Sequence, residues 1–306
     1  MWIDPNVDRK GSIIKDNILS EHNKDDHSPA FSLFELNITG FCNRYCKFCP
    51  RSDKKAYPNR KEFISDELYS KIINELGAMG YNSIIAYSGF SEPLFHKKIE
   101  DMIQSARQSC PEARIELYTN GDALNEKKLA ALFASGLSSV HISLYDGPEQ
   151  IEKFSEMRNK AGIKVDQFIL RKRYPTKKGG YGLIFSNRAG MVNPEFFGTG
   201  RLPYPLKSEC FYPFYMMFVD YVGDVILCSH DWGKKLIVGN LNHESILEIW
   251  SGERINTARE RLSRRDRCFR PCSECNVKGT LMGKEHFLGW KKHCKTVFRS
   301  KSDKKS

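Results

Sequence analysis

The sequence predicts an α/β fold: a partial (β/α)6 barrel followed by a small α+β, cysteine-rich extension. Three observations carry this. Short apolar runs alternate with helix-period segments between residues 31 and 190, the pattern of a parallel sheet covered by helices. Each of six apolar runs ends in a polar, glycine-containing or basic loop, and function gathers at the carboxyl ends of strands in such folds. After residue 200 the alternation stops, and six of the ten cysteines follow.

Residues 33–39 read as the first strand, ending at a cysteine loop. Ser65 is placed to cap a helix whose Leu68, Ile72, Ile73, Leu76 and Met79 share one face. Strand 83–89, a helix near 96–109, strand 114–121, helix 125–136, strand 139–147 and a helix near 147–161 follow. Strands 165–173 and 181–187 close the series. Right-handed crossovers curl such a sheet into a barrel or an open sheet. Beyond residue 200, runs 214–219 and 225–227 turn at Gly223-Asp224 as a hairpin, and residues 245–262 read as a helical piece. The expected organisation is a polar, flexible segment 1–30, a barrel 31–200, a cysteine-rich extension 201–295 and a fraying basic tail 296–306.

Of the 306 residues, 40% are apolar and 28% charged, ordinary for a globular protein. No run of 18 apolar residues exists to span a membrane. The N-terminal stretch lacks the basic start, apolar middle and small-residue cleavage site of a signal peptide, so a cytoplasmic location is expected. Cysteines in a reducing compartment point to metal or redox sites rather than disulfides. The net charge of +11 is uneven. Residues 251–306 hold 16 Lys and Arg against 6 Asp and Glu, leaving +1 for the rest. A basic segment suits an acidic electron-donor protein or nucleic acid, or is a solvated surface.

The first cysteines carry the sharpest signal. Cys42, Cys46 and Cys49 are spaced C-x3-C-x2-C after the first strand. Three thiolates can hold three irons of a four-iron cluster and leave one iron open, as a reactive site does. A zinc site needs a fourth ligand, and His27, in the polar N-terminal segment, is a poor one.

With Phe48 before the third cysteine and Gly-Phe-Ser-Glu-Pro (residues 89–93) after the second strand, residues 31–190 resemble the radical S-adenosylmethionine (SAM) enzymes. The resemblance implies that the fourth ligand is SAM itself, chelating the open iron of a 4Fe-4S cluster through its amino and carboxylate groups. It implies that Gly89, Ser91, Glu92 and Pro93 hold the methionine amino group, although the second glycine of the family's Gly-Gly-Glu-Pro element is replaced. It sets Asn120 and Ser143 at the ribose and carboxylate and Phe48 near the adenine. Arg171, at the end of the fifth strand, suits the carboxylate, with Arg173 as a second candidate.

The extension offers a second thiol set. Cys210, Cys228, Cys272 and Cys275 make four ligands, fitting a structural zinc or a second, auxiliary 4Fe-4S cluster. The run "GDVILC" resembles the SPASM extension of radical SAM enzymes. Thr280 and Lys284 stand where the full pattern has further cysteines, so the match is to its shortened "twitch" form, with one auxiliary cluster. Cys268 is an alternative ligand; Cys110 and Cys294 read as ordinary thiols.

The resulting expectation is an oxidoreductase that abstracts hydrogen from a substrate and passes a second electron to the auxiliary cluster. Arg188, ending the sixth strand, is placed to orient the substrate. A small polar substrate such as a sugar or aminocyclitol is favoured over the peptide of a maturase, because only thirty polar residues precede the first strand. An acidic donor such as flavodoxin or ferredoxin would supply electrons. A non-catalytic zinc or iron–sulfur nucleic-acid-binding module explains Cys272, Cys275 and the basic segment, but not the six strand-end loops.

Overall fold

The computed structural model describes residues 9–12, 14, 31–174, 186–192 and 205–302, with 294–302 in backbone only. One eight-stranded sheet organises them. Strands β1 (Leu33–Asn37), β2 (Ile84–Tyr87), β3 (Arg114–Thr119), β4 (Ser139–Leu144) and β5 (Phe168–Lys172) are parallel neighbours in chain order. Helices α1 (Asp66–Ala78), α2 (Ile99–Ser109), α3 (Glu126–Ala134) and α4 (Glu149–Lys160) connect them. Ser65 caps α1 by accepting from Leu68 N at 3.1 Å, and Leu68, Ile72, Ile73 and Leu76 are buried.

Period-2 alternation divides each strand between two faces. On β3, Ile115 and Leu117 face the opposite way from Glu116 and Tyr118; on β4, Val140, Ile142 and Leu144 oppose Ser139, His141 and Ser143. The inner face is therefore polar although buried, and Ser143 pairs in register with Arg171.

The hairpin does not start a separate sheet. A short helix α5 (Tyr212–Tyr215) takes the first residues expected in strand, and β6 (Met216–Asp220) pairs parallel with β1, from Leu33↔Met216 to Asn37↔Asp220. All five β6 residues are buried, as a parallel strand covered on both faces requires. Strands β7 (Asp224–Ile226) and β8 (Ile237–Asn240) follow antiparallel. Thus there are six parallel strands among the described residues, but the sixth comes from the extension. Of the strand expected at 181–187, residues 181–185 lie outside the described residues, and Ser186 and Asn187 are not in a strand.

Three further expectations change. The helical piece 245–262 breaks at Gly252 into α6 (Ile246–Ser251), which opens with a Ser245/Glu248 capping box, and α7 (Glu253–Ser263). The basic tail is helical to residue 302 within α8 (Lys284–Ser302), since no Gly or Pro interrupts it after Gly289. The N-terminal segment contributes helix and a core residue. Residues 9–12 and 14 are helical, and Ile14 joins the core at 1% exposure. Among the described residues, no helix is long and apolar enough to cross a membrane.

Candidate active site

The carboxyl ends of β1–β5, the 186–192 turn and the loop after β7 enclose a cavity of about 270 Å³. Cys42, Cys46 and Cys49 reach its wall from the loop after β1. That loop is held at several points. The Asn59 side chain accepts from Cys42 N at 2.9 Å and donates to Cys42 O at 2.7 Å. Arg44 forks onto both Asp122 and Asp146 at 2.5–2.8 Å, tying the loop to those after β3 and β4. Arg51 is 1% exposed and donates to Phe90 O (2.7 Å), Gly40 O (2.9 Å) and Asn59 Oδ1 (2.8 Å).

The loop after β2 is shaped by one glycine and one asparagine. Gly89 has φ +110°, and a Cβ there would stand 2.8 Å from Asn37 Cβ. The Asn37 Oδ1 accepts from Phe90 N (3.1 Å) and Ser91 Oγ (2.5 Å). Glu92 is 2% exposed and accepts from Leu94 N (3.1 Å), Thr119 Oγ1 (2.6 Å) and Asn120 N (2.7 Å). Burial nevertheless pushes its carboxyl up to about 7, against those hydrogen bonds.

Phe48, Gly89, Ser91, Glu92, Asn120, Ser143, Arg171 and Arg188 all line the cavity, as does Arg173. Pro93 does not: it is buried at the start of the turn Pro93–Phe95. Phe48 stacks on Tyr145 with centroids 5.8 Å apart. The Asn120 amide is engaged within the protein, donating to Asn43 Oδ1 at 2.7 Å and accepting from Asp122 N at 2.9 Å.

Arg188 sits in a turn with φ +48°. The turn is tied to the extension, with Asn187 donating to Glu274 O (2.6 Å) and Asn276 Oδ1 (2.9 Å), and Ser186 Oγ 3.0 Å from His230 Nδ1. The Arg188 guanidinium lies 5.8 Å over the Trp232 ring, and its Nε is buried without a hydrogen-bond partner. Its charge reaches both thiol sets, favouring the thiolate of Cys49 and of Cys275. Burial first, then Arg188, holds His230 down to about 3, so it is neutral. Asp231 accepts from Lys235 N and Leu236 N, an ordinary loop role.

Sequence patterns do not single out Glu35, Arg44, Tyr118 or Ser229, which also line the cavity; Trp232 lines it too, and it ends the His230–Asp231–Trp232 run that the sequence offers, with Arg173, as the substrate contact next after Arg188. Glu35 and Tyr118 had a faint signal in strand parity, since each is a polar residue on the inner face of its strand.

The donor sets fit iron–sulfur chemistry. Burial pushes Cys42 up to about 11 and Cys46 to about 12, and raises Cys49. Such thiols stay protonated near neutrality unless a metal displaces the proton. Cys210, Cys228, Cys272 and Cys275 are raised in the same way by burial, and Cys210, Cys228 and Cys272 also feel the charge of others in the set. Cys268 is exposed, while Cys110 packs in the core. Among the described residues, no three His, Cys, Asp or Glu side chains are grouped to hold a single ion. A cluster does not require that, since each thiolate binds a different iron.

Comparison with known proteins agrees with this geometry. Residues 36–169 match the model of the radical SAM superfamily, and residues 210–276 match SPASM, an iron–sulfur cluster-binding domain. The chain is 27% identical over 252 residues to the S-adenosyl-L-methionine-dependent 2-deoxy-scyllo-inosamine dehydrogenase of Niallia circulans, covering 80% of this chain and 93% of that protein. It is 30% identical over 110 residues to the GTP 3′,8-cyclase of Paenarthrobacter nicotinovorans, covering 36% of this chain and 30% of that one. Among solved structures, BtrN in complex with AdoMet and 2-DOIA shares the fold, with a TM-score of 0.69 at 23% identity over 84% of this chain and 98% of BtrN. Native anSMEcpe with bound AdoMet is a more distant likeness, at 0.51 and 14% over 89% and 98%. The chain belongs to the radical SAM superfamily and carries a SPASM iron–sulfur cluster-binding domain.

Proposed function

We propose that this enzyme oxidises a small polyol or amino-polyol, held in the cavity between two four-iron clusters. Cys42, Cys46 and Cys49 hold the SAM-binding cluster; Cys210, Cys228, Cys272 and Cys275 hold the auxiliary one. Bound SAM and its reduced cluster supply a 5′-deoxyadenosyl radical, and the auxiliary cluster an acceptor for the second electron.

The chain's own residues orient and shield that chemistry. Ser91, Glu92 and the Gly89 turn receive the methionine amino group, with buried Pro93 setting the turn behind them. Arg171 and Ser143, neighbours across β4 and β5, face the carboxylate; Asn120 faces the ribose, and Phe48, stacked on Tyr145, the adenine. Arg188 is the substrate-orienting residue.

The observation that carries this reading is Arg188 itself. A guanidinium whose Nε is buried and unpartnered, at the wall of a cavity and felt by thiols of both sets, suits a group awaiting a ligand. Glu35 brings a carboxylate to the same cavity, so hydroxyl and amine groups both find partners. The Niallia circulans relative, a dehydrogenase of 2-deoxy-scyllo-inosamine by name, supports an aminocyclitol-like substrate. Exposed Lys47, Lys54 and Lys55 beside the cysteine loop suit an acidic electron donor such as flavodoxin or ferredoxin.

The test is anaerobic turnover with carbon-deuterated aminocyclitols, sugars and peptides. Deuterium should enter 5′-deoxyadenosine from an aminocyclitol or sugar, with a ketone as product. Transfer from a peptide alone would assign the enzyme to protein modification instead.

A further inference from the structure

The N-terminal residues reach the wall of the active site from below. Glu116 is wholly buried on the inner face of β3. Its Oε1 accepts from Arg9 at 2.5 Å and from Arg114 Nε at 3.0 Å, and its Oε2 from the Tyr118 hydroxyl at 2.6 Å. Arg9 also donates to Ser139 Oγ at 3.1 Å and lies 3.1 Å from Nε2 of buried His141. His141 stacks on Tyr118, with centroids 4.3 Å apart and planes 14° from parallel. The Lys10 ammonium lies 4.5 Å from the centre of the Tyr118 ring, and the Arg171 guanidinium 5.3 Å from it. Tyr118 and Arg171 line the cavity.

A buried carboxylate must be paired; Glu116 Oε1 is shared by Arg9 and Arg114, so losing Arg9 leaves it one cation short and strengthens its pull on the other cations nearby. Arg171 is such a neighbour, since its guanidinium and Glu116 both lie against Tyr118. We infer that Arg9 is a positioning residue: by holding Glu116 it keeps Arg171 turned to the cavity, where Arg171 meets the carboxylate of SAM. The inference rests on the reading of Arg171 given above. Without Arg9, Glu116 draws Arg171 down and away from the cofactor.

The readout is equilibrium binding of SAM to the anaerobically reconstituted enzyme, apart from turnover. Loss of one charge-assisted carboxylate contact weakens binding about 10- to 100-fold. Arg9→Ala should show that loss, and Arg9→Ala/Glu116→Gln should bind SAM within about threefold of Glu116→Gln alone. If Arg9→Ala does not fold, Arg9→Gln, which keeps donors but no charge, carries the same test with a loss of about fivefold or more. Unchanged binding in the single variant overturns the inference, as does a double variant no better than the single one. A purely structural Arg9 would lower thermal stability and leave the Kd alone. Arg171→Ala separates the layers. If it weakens binding while the Arg9 variant does not, only the inference falls; if it leaves binding intact, the assignment of Arg171 falls too.

Discussion

Arg51→Met removes a cation that the chain has buried among carbonyls, and its cost can be worked from the structure. Methionine matches the length of the arginine stem and donates nothing. Phe90 O loses its 2.7 Å partner, and Gly40 O keeps only the 3.2 Å bond from Arg60 N. Asn59 Oδ1 retains its bond from Cys42 N, and the stacking of the guanidinium 5.0 Å over Tyr57 is lost. One orphaned buried carbonyl costs about 1–3 kcal/mol, a weakened second one adds to that, and relief of the buried charge gives some back, so about 2–4 kcal/mol is expected. The same bonds set the cysteine loop against the loop that ends in Glu92, so cluster retention should suffer with stability. Urea unfolding of the iron-free protein measures the first, and iron content after anaerobic reconstitution the second. Arg51→Lys, a point charge that cannot span three acceptors, should fall between. An Arg51→Met protein within about 0.5 kcal/mol of the parent and with full iron would refute the reasoning, since that is the spread of an ordinary surface change.

Arg188→Ala should keep both clusters and cleave SAM without coupling, while product formation falls by one to a few powers of ten, on the order of what a misplaced reactant costs; liquid chromatography of 5′-deoxyadenosine and product from one reaction decides it. Cys272→Ala/Cys275→Ala should still cleave SAM and make no product; normal turnover would reduce the second cluster to a structural role. Glu92 sets a pH slope. Its carboxyl titrates near 7 in the fold, above its ordinary 4.5, so it favours folding while protonated. That contribution is whole below pH 4.5 and lost as the pH rises to about 7, on the order of 3 kcal/mol. Unfolding free energies of the iron-free protein between pH 4.5 and 8 should show the slope, and Glu92→Gln should flatten it.

What could be read from the sequence followed from local rules. Cysteine spacing, the Ser65 cap and the face of α1 need only neighbouring residues. The alternation of β3 and β4 also shows, in "RIELYT" and "SVHISL", that one face of the barrel is polar. What could not be read depends on contacts across long stretches of chain. Nothing local says that β6 will lie parallel to β1, nearly two hundred residues earlier, or that Arg9 will meet Glu116. Arg44 and Arg51 look like surface arginines of a cysteine loop until their partners at Asp122, Asp146 and Phe90 are seen. Arg188 was placed at a strand end by its apolar approach, but the turn that presents it is set by Asn187, Glu274 and Asn276 from the extension.

The measurement that tests the account most directly is iron and sulfide per chain, taken anaerobically on the parent and two cysteine variants. With two separately held four-iron clusters, the parent should carry about eight irons. Cys42→Ala/Cys46→Ala/Cys49→Ala should carry about four, and Cys272→Ala/Cys275→Ala about four, each with matching sulfide. Zinc in place of the second four irons, or a triple variant that keeps all eight, would contradict it.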